Sequence, residues 1–432
     1  MPTATKKPNP SSNGSSVDKA PQPGAKPGYK HTKLGWLPEE WEVKRIRELF
    51  EVKGRVGWKG YTQADLRSSG PIAIGGKHID EQHRLKLSDP THLSQEKYDE
   101  SPEIMVQVGD MLLTQRGTLG RVALVSTDIG PATINPSLVI LRPRTEVCSE
   151  FVHAFLTSSG QEKQMLIEVA STGVPMLSQK QIGDFRLPIP GLKERKRIAE
   201  VLGAWDRAIA TVQQLLAAQQ ERKCGLMQVL LEEVYHRCKK VSIGSIAEES
   251  TDRHTTTADH IVLSCSKYHG FVSSLEYFKK QVYSEDRSNY KVIRRGQFGF
   301  PANHIEEGSI DLLTTHDIGL ISPIYVVFEF DHATVNSEFM YYLFKTDRYR
   351  YIFKNSTNSS VDRRGSLRWN DFKNLWVPLP GREEQDRLAK LFQHMDHQIE
   401  YTEEYLTHLT SQKRGLMQVL LTGEKRLTTE AA

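Results

Sequence analysis

Several groups of side chains in this 432-residue chain have the types and spacing to hold a polyanion. In Gly54-Arg55-Val56-Gly57-Trp58-Lys59-Gly60-Tyr61-Thr62 the glycines let backbone approach a phosphate. Arg55 and Lys59 neutralise it, and Trp58 or Tyr61 packs on sugar or base. Thr114-Gln115-Arg116-Gly117-Thr118-Leu119-Gly120-Arg121 adds the amide and guanidinium groups that read adenine and guanine edges in two-point contacts, in Gln115, Arg116 and Arg121. The second half of the chain offers Arg287–Arg295 with Arg294 and Arg295, then Asn303-His304, then Val361–Arg368 with Arg363, Arg364 and Arg368. Any one of these loops reads equally well as a solvated turn; together they call for a polyanionic partner.

Gly70-Pro71-Ile72-Ala73-Ile74-Gly75-Gly76-Lys77-His78 narrowly misses a phosphate-binding P-loop. That loop needs Lys directly after the second spaced glycine and then Ser or Thr for Mg²⁺. Here Gly76 intervenes and His78 follows, so the stretch reads as a glycine-rich turn presenting Lys77 to DNA. Asn135-Pro136-Ser137-Leu138 falls short of the Asn/Asp-Pro-Pro-aromatic motif of amino-methyltransferases, and no glycine-rich cofactor loop follows a first strand. Neither G-x-S-x-G nor H-E-x-x-H occurs. Cys148, Cys224, Cys238 and Cys265 form no C-x-x-C pair, which leaves no support for a zinc ribbon or a disulfide framework. The expectation is a protein without catalysis, metal or cofactor of its own. No stretch nears the roughly 18 apolar residues of a membrane span and the N-terminus has no apolar signal core, so a cytoplasmic location is expected.

Net charge is +4, but Lys6, Lys7, Lys19, Lys26, Lys30 and Lys33 face only Asp18 in the first 33 residues, which leaves the rest at −1. A polyanion-binding surface must therefore be a local patch. Residues 1–33, rich in Pro, Ser, Gly, Asn and Lys, read as a disordered basic tail.

The elements that must position these loops are legible as a repeat. FRLPIPGLKERKRIAEVLGAWD from Phe185 matches LWVPLPGREEQDRLAKLFQHMD from Leu375, and CGLMQVLL from Cys224 matches RGLMQVLL from Arg414. Both matches are offset by 190 residues, without a gap. Constant spacing over some 40 residues is what a continuous helix imposes. The apolar pattern predicts seams at Ile198, Val201, Trp205, Ala208, Val212, Leu215, Gln219, Arg222, Leu226 and Val229, and at Leu388, Leu391, Met395, Gln398, Thr402, Tyr405, Leu409, Gln412, Leu416 and Val419. A rise of about 1.5 Å per residue makes each helix roughly 55–60 Å long, and matched seams most simply pack on each other; the alternative is two ordinary amphipathic helices, each packed on its own module.

The expected order is a module over 34–192, a helical region over 193–235, a second module over 236–382, a second helical region over 383–424, and a tail over 425–432. The fold class is α+β: two α/β modules separated and joined by two long helices, which the family resemblance given next implies form an antiparallel coiled coil with pseudo-twofold symmetry. Short β-like runs are expected at Arg121–Val125, Ser137–Leu141, His260–Ser264 and Leu320–Glu329. The modules echo each other faintly, Gly109–Leu113 against Gly296–Phe300 and Asn135–Ile140 against Ile321–Val326.

The opening Gly28-Tyr29-Lys30-His31-Thr32-Lys33-Leu34-Gly35-Trp36-Leu37-Pro38-Glu39-Glu40-Trp41-Glu42-Val43 resembles the start of specificity subunits of Type I restriction–modification enzymes. Gly109–Leu113 with Arg116–Gly120, Ser171–Pro175 with Leu177-Ser178, and Phe185–Pro190 resemble their first target-recognition domain. The two Gly-Leu-Met-Gln-Val-Leu-Leu endings resemble the family's two conserved helical regions. The second module departs from the pattern, since Gly296–Phe300 lacks a following Arg-Gly turn. The resemblance implies one half of a bipartite DNA site per module, and helices that dock two methylation subunits. Two restriction subunits would join, and S-adenosylmethionine, ATP and Mg²⁺ would belong to the partners. The competing expectation is a coiled-coil scaffold presenting two protein-binding modules.

Overall fold

A computed structural model describes residues 26–55, 60–144, 146–161, 165, 176–254, 260–267, 269–357 and 365–427. The chain divides into two compact units, one holding the residues up to Ala210 with those from Thr407 onward, the other Thr211–Leu406. Each unit thus contains one module and a stretch of each of two long helices, Leu192–Arg237 (46 residues) and Arg382–Leu421 (40 residues). Pro190-Gly191 and Pro380-Gly381 stop the preceding strands. Glu194 in one first turn and Glu383 and Glu384 in the other complement the positive helix ends.

The helices pair antiparallel within each unit, and the repeat itself supplies the proof. In the first unit Lys413 donates to Asp206 at 2.5 Å. In the second, Lys223 donates to Asp396. Asp206 and Asp396 are repeat equivalents, and so are Lys223 and Lys413. Each copy's aspartate meets the other copy's lysine, which only an antiparallel pair allows.

The seam differs from the sequence pattern at every second position. Ile198, Trp205, Val212, Gln219 and Leu226 are buried or half-buried, but their intervening partners are Leu202, Ile209, Leu216, Lys223 and Leu230. The second helix does the same with Leu388, Phe392, Met395, Ile399, Thr402, Leu406, Leu409, Lys413 and Leu416. Along the middle of the helices the residues expected there are turned to solvent, Leu215 at 51%, Val229 at 64% and Tyr405 at 48% exposure, while Val201 and Val419 stay half-buried against the first core. A 4-3 step and a 3-4 step both keep a seven-residue repeat, so periodicity alone does not choose. Packing chooses the face with the longer aliphatic chains.

Each module is built on a four-stranded antiparallel sheet of the same strand order. In the first it runs Phe50–Gly54, Leu138–Pro143, Met111–Thr114, Val122–Leu124; in the second, Ala247–Glu249, Tyr325–Phe330, Phe298–Pro301, Asp311–Leu312. Leu138 lies opposite Thr114 and Tyr325 opposite Pro301, so Pro136 and Pro323 are equivalent. The echo read from sequence was out by one residue there. The expected Leu320–Glu329 run is two strands, Ile318–Ile321 and Tyr325–Phe330, parted by the Ser322-Pro323-Ile324 turn. Alternate strand residues face a helix, Ser149–Leu156 or Ser337–Phe344, and close the cores around Phe50, Leu113, Val139 and Phe151, and around Phe298, Phe328, Phe339 and Phe344.

The termini are more ordered than expected. Tyr29–Thr32 pairs with Gly35–Pro38 as a hairpin, and the Tyr29 hydroxyl donates to the Gly423 carbonyl at 2.7 Å. The folded chain therefore starts before residue 34; residues 1–25 lie outside the described set. Arg426, within the expected tail over 425–432, binds Glu194 and Glu40.

The far end of each sheet shows how the duplicated frame diverged. In the first module Arg142 sits between Glu51 and Asp110 across three strands and donates to Asp110 at 2.8 and 2.9 Å. Glu248, Glu329 and Gln297 hold the equivalent places in the second, so two glutamates stand directly opposite each other. Cross-strand like charges destabilise by a few tenths of a kcal/mol to about 1 kcal/mol. Glu329→Arg should therefore raise the thermal midpoint of the second unit, measured by calorimetry on the whole chain.

Candidate nucleic-acid interface

In the first module four chain segments converge at one end of the sheet, beside Thr114 and Leu138. The Gln115 N–H donates to the Ser137 carbonyl at 2.8 Å, and the Leu177 N–H to the Gln115 carbonyl at 3.0 Å. The Gly76 N–H donates to Ser137 Oγ at 3.0 Å. A Cβ on Gly75 would stand 2.4 Å from the Asn135 amide, so a larger residue there has to push that side chain aside. Thr114 staples the 114–121 loop, donating to the Thr118 carbonyl at 2.5 Å and accepting from the Arg121 N–H at 2.9 Å. Gly117 and Gly120 adopt φ of +75° and +81° inside it.

Not every candidate side chain is aimed outward. Arg55 is 5% exposed; its Nε donates to the Ile134 carbonyl at 2.8 Å and its Nη2 to Thr133 at 3.0 Å, and burial pushes its pKa down. Tyr61 lies 5.9 Å from that guanidinium. Gln115 is also buried and donates to the Pro136 carbonyl at 2.9 Å, so it ties the turn together. Arg121 is half-buried and bonds the Ile79 carbonyl at 2.9 Å and Glu81 at 3.4 Å. Lys77 and Arg116 are the exposed cations of the cluster, Lys77 paired with Asp89 at 2.9 Å and Arg116 resting on Met176 Sδ at 2.8 Å. Trp58 and Lys59 lie outside the described residues.

The histidines beside this cluster bond the backbone. His78 accepts from the Gly75 N–H at 2.9 Å, and His83 from the Val122 N–H at 3.1 Å. His153 faces the Val122 carbonyl at 3.0 Å. Burial pushes the pKa values of His83 and His153 down, which leaves both neutral near pH 7.

The second module repeats the frame with different chemistry. The Ala302 N–H donates to the Ile324 carbonyl at 3.2 Å and the Leu367 N–H to the Ala302 carbonyl at 2.8 Å, matching Gln115 and Leu177. Asn303 therefore occupies the place of Arg116. His304 follows, 3.6 Å from Glu307, and Arg368 is exposed beside Leu367. Arg294 and Arg295 are not brought to this cluster. They precede the Phe298–Pro301 strand at its other end, paired with Asp252 and Asp317 at 2.7 Å each. Arg363 and Arg364 lie outside the described residues.

Known proteins resemble this chain in sequence and in fold. Residues 38–218 match the Type I restriction modification DNA specificity domain. The type I restriction enzyme MjaVIII specificity subunit of Methanocaldococcus jannaschii is 22% identical over 428 residues, 90% of this chain and 94% of that protein. The EcoR124I/EcoR124II specificity subunit of Escherichia coli is 22% identical over 180 residues, 41% of this chain and 44% of that one. In fold, the chain resembles the S subunit of a Type I restriction–modification system from M. genitalium, with a TM-score of 0.54 and 14% identity over 88% of this chain and 96% of that one. With the two modules and the repeated helices in view, the chain is similar in sequence and in fold to Type I restriction–modification specificity subunits.

Proposed function

We propose that this chain reads a bipartite DNA target, one half-site per module, and performs no catalysis. The observation that carries the reading is that each module gathers its loops at the same end of the same sheet, on one hydrogen-bonded frame, with different side chains mounted on it. A duplicated frame with exchanged tips suits two unlike half-sites. The outward apolar side chains of the helices, Leu215, Val229, Leu391 and Tyr405, supply a docking face for two methylation subunits. S-adenosylmethionine, ATP and Mg²⁺ then act on those partners and on two restriction subunits, within the cytoplasm. No described helix is long and apolar enough to cross a membrane.

Methylome sequencing of cells expressing this chain with its methylation partner tests the reading. One interrupted motif with two unlike halves is the expected result, and a continuous motif or none overturns it. Exchanging residues 236–381 for those of a sister subunit should rewrite one half only. Arg116→Ala should weaken binding of the first half-site by about 1–3 kcal/mol if its guanidinium touches a base edge. A gel-shift titration of the complex on the mapped site measures this.

A further inference from the structure

The second module lacks the glycine-rich turn of the first, and what replaces it has its own character. In the first module the Leu66–Ile74 strand runs parallel to Ala132–Ile134 and ends at Gly75-Gly76, against the Asn135–Ser137 turn. In the second, Val262 bridges Leu320 in the same parallel sense, but the strand continues as Leu263–Ser266 and turns back as Gly270–Ser273. It then leads into a short helix, Ser274–Phe278. The Cys265 N–H donates to the Tyr325 hydroxyl at 3.0 Å, and Tyr325 pairs with Pro301, next to Asn303 and His304. The insertion is thus anchored at the loop end of the sheet.

Its surface is unusual. Leu275, Tyr277 and Phe278 are 50%, 47% and 43% exposed, and Val282 follows at 47%. Tyr277 and Phe278 stand edge to face at 5.0 Å, and His269 lies 6.2 Å from Tyr277. Ser266 Oγ reaches the Tyr277 hydroxyl at 3.5 Å, which fixes the ring relative to the strand. Lys279 stops the helix at φ +53°, one of two non-glycine residues with positive φ among those described. Neither Lys279 nor Lys280 has an ion-pair partner among the described residues. Glu276 is the one acid within the helix.

We propose that Leu275–Lys280 is the DNA-contacting tip of the second module, with Tyr277 and Phe278 against sugar or base and Lys279 and Lys280 on phosphate. The proposal rests on the bipartite reading above. Rings left in water beside two unpaired lysines suit a polyanion with flat apolar groups, because both halves of the surface then find a partner. A protein partner would satisfy the rings but leave the lysines to chance.

The test uses the chain assembled with its methylation partner and a duplex carrying the mapped site. Tyr277→Ala with Phe278→Ala should lower affinity at least tenfold and erase the footprint over the second half-site alone. Lys279→Ala with Lys280→Ala should lower the salt dependence of binding by about two counterions. Tyr277→Phe should bind as the unchanged chain does, and melting temperature separates lost contacts from lost folding. Unchanged affinity in the folded double variants overturns the proposal. So does lost assembly with DNA affinity kept, which makes the patch a protein-docking face. A wild-type complex that protects no DNA sinks the bipartite reading itself, and this proposal with it.

Discussion

Replacing Glu194 by alanine is expected to destabilise the first unit by about 3–5 kcal/mol, the usual effect of breaking a buried ion pair from one side. Its carboxylate is 7% exposed and holds four donors. The Trp41 indole N–H lies at 3.1 Å, two Arg426 nitrogens at 2.8 and 2.9 Å, and the Leu427 N–H at 3.4 Å. Without it, the indole and a guanidinium that also serves Glu40 keep their desolvation and lose their acceptor. Urea unfolding of the whole chain measures the loss, and deletion after Thr422 should reproduce much of it.

The same site predicts a pH signature. Burial alone raises the Glu194 pKa, but hydrogen bonds from Arg426 and Trp41 outweigh it and hold the carboxyl below its ordinary value. A depressed carboxyl contributes stability that is complete above its unfolded pKa of about 4.3 and is lost as pH falls through the folded one. The unchanged chain should therefore lose stability on acidification below about pH 4.3, and Glu194→Ala should flatten that limb. Parallel acid limbs in the two proteins would contradict the assignment.

The second large effect concerns the helices. On the bipartite reading proposed above, removing Val212–Ala218 together with Thr402–His408 should shorten the unread gap of the DNA motif by about three base pairs. Seven residues span about 10.5 Å at 1.5 Å each and fall 20° short of two full turns, so the buried face is kept. Both cuts lie between the Asp206–Lys413 and Lys223–Asp396 pairs, which leaves those bonds intact. Methylome sequencing of the variant reads the gap directly. An unchanged gap would show that helix length does not set the spacing.

Glu194 shows how little of such a site is visible in one dimension. Nothing about a glutamate at the third residue of a helix points to an arginine 232 positions later. The module tips behaved likewise. Arg55 and Gln115 look like reading groups among glycines, yet both are spent on backbone carbonyls, because a loop this polar must first satisfy its own buried acceptors. Leu-Glu-Tyr-Phe at 275–278 looks like a buried turn of helix, and only the placement of the strand before it leaves those rings in water.

The amino-acid order by itself determined the duplication, the two long helices and some of the shared strands, those within Arg121–Val125 and Ser137–Leu141 among them. These follow from local periodicity and from constant spacing between copies, properties that survive without knowing any contact. The tertiary structure alone decided which of two seven-residue registers forms the seam, which arginines are pinned inside and which residues stand at each tip. Those outcomes depend on competition among faces for burial and among donors for acceptors far apart in the chain, and no short-range pattern records the winner.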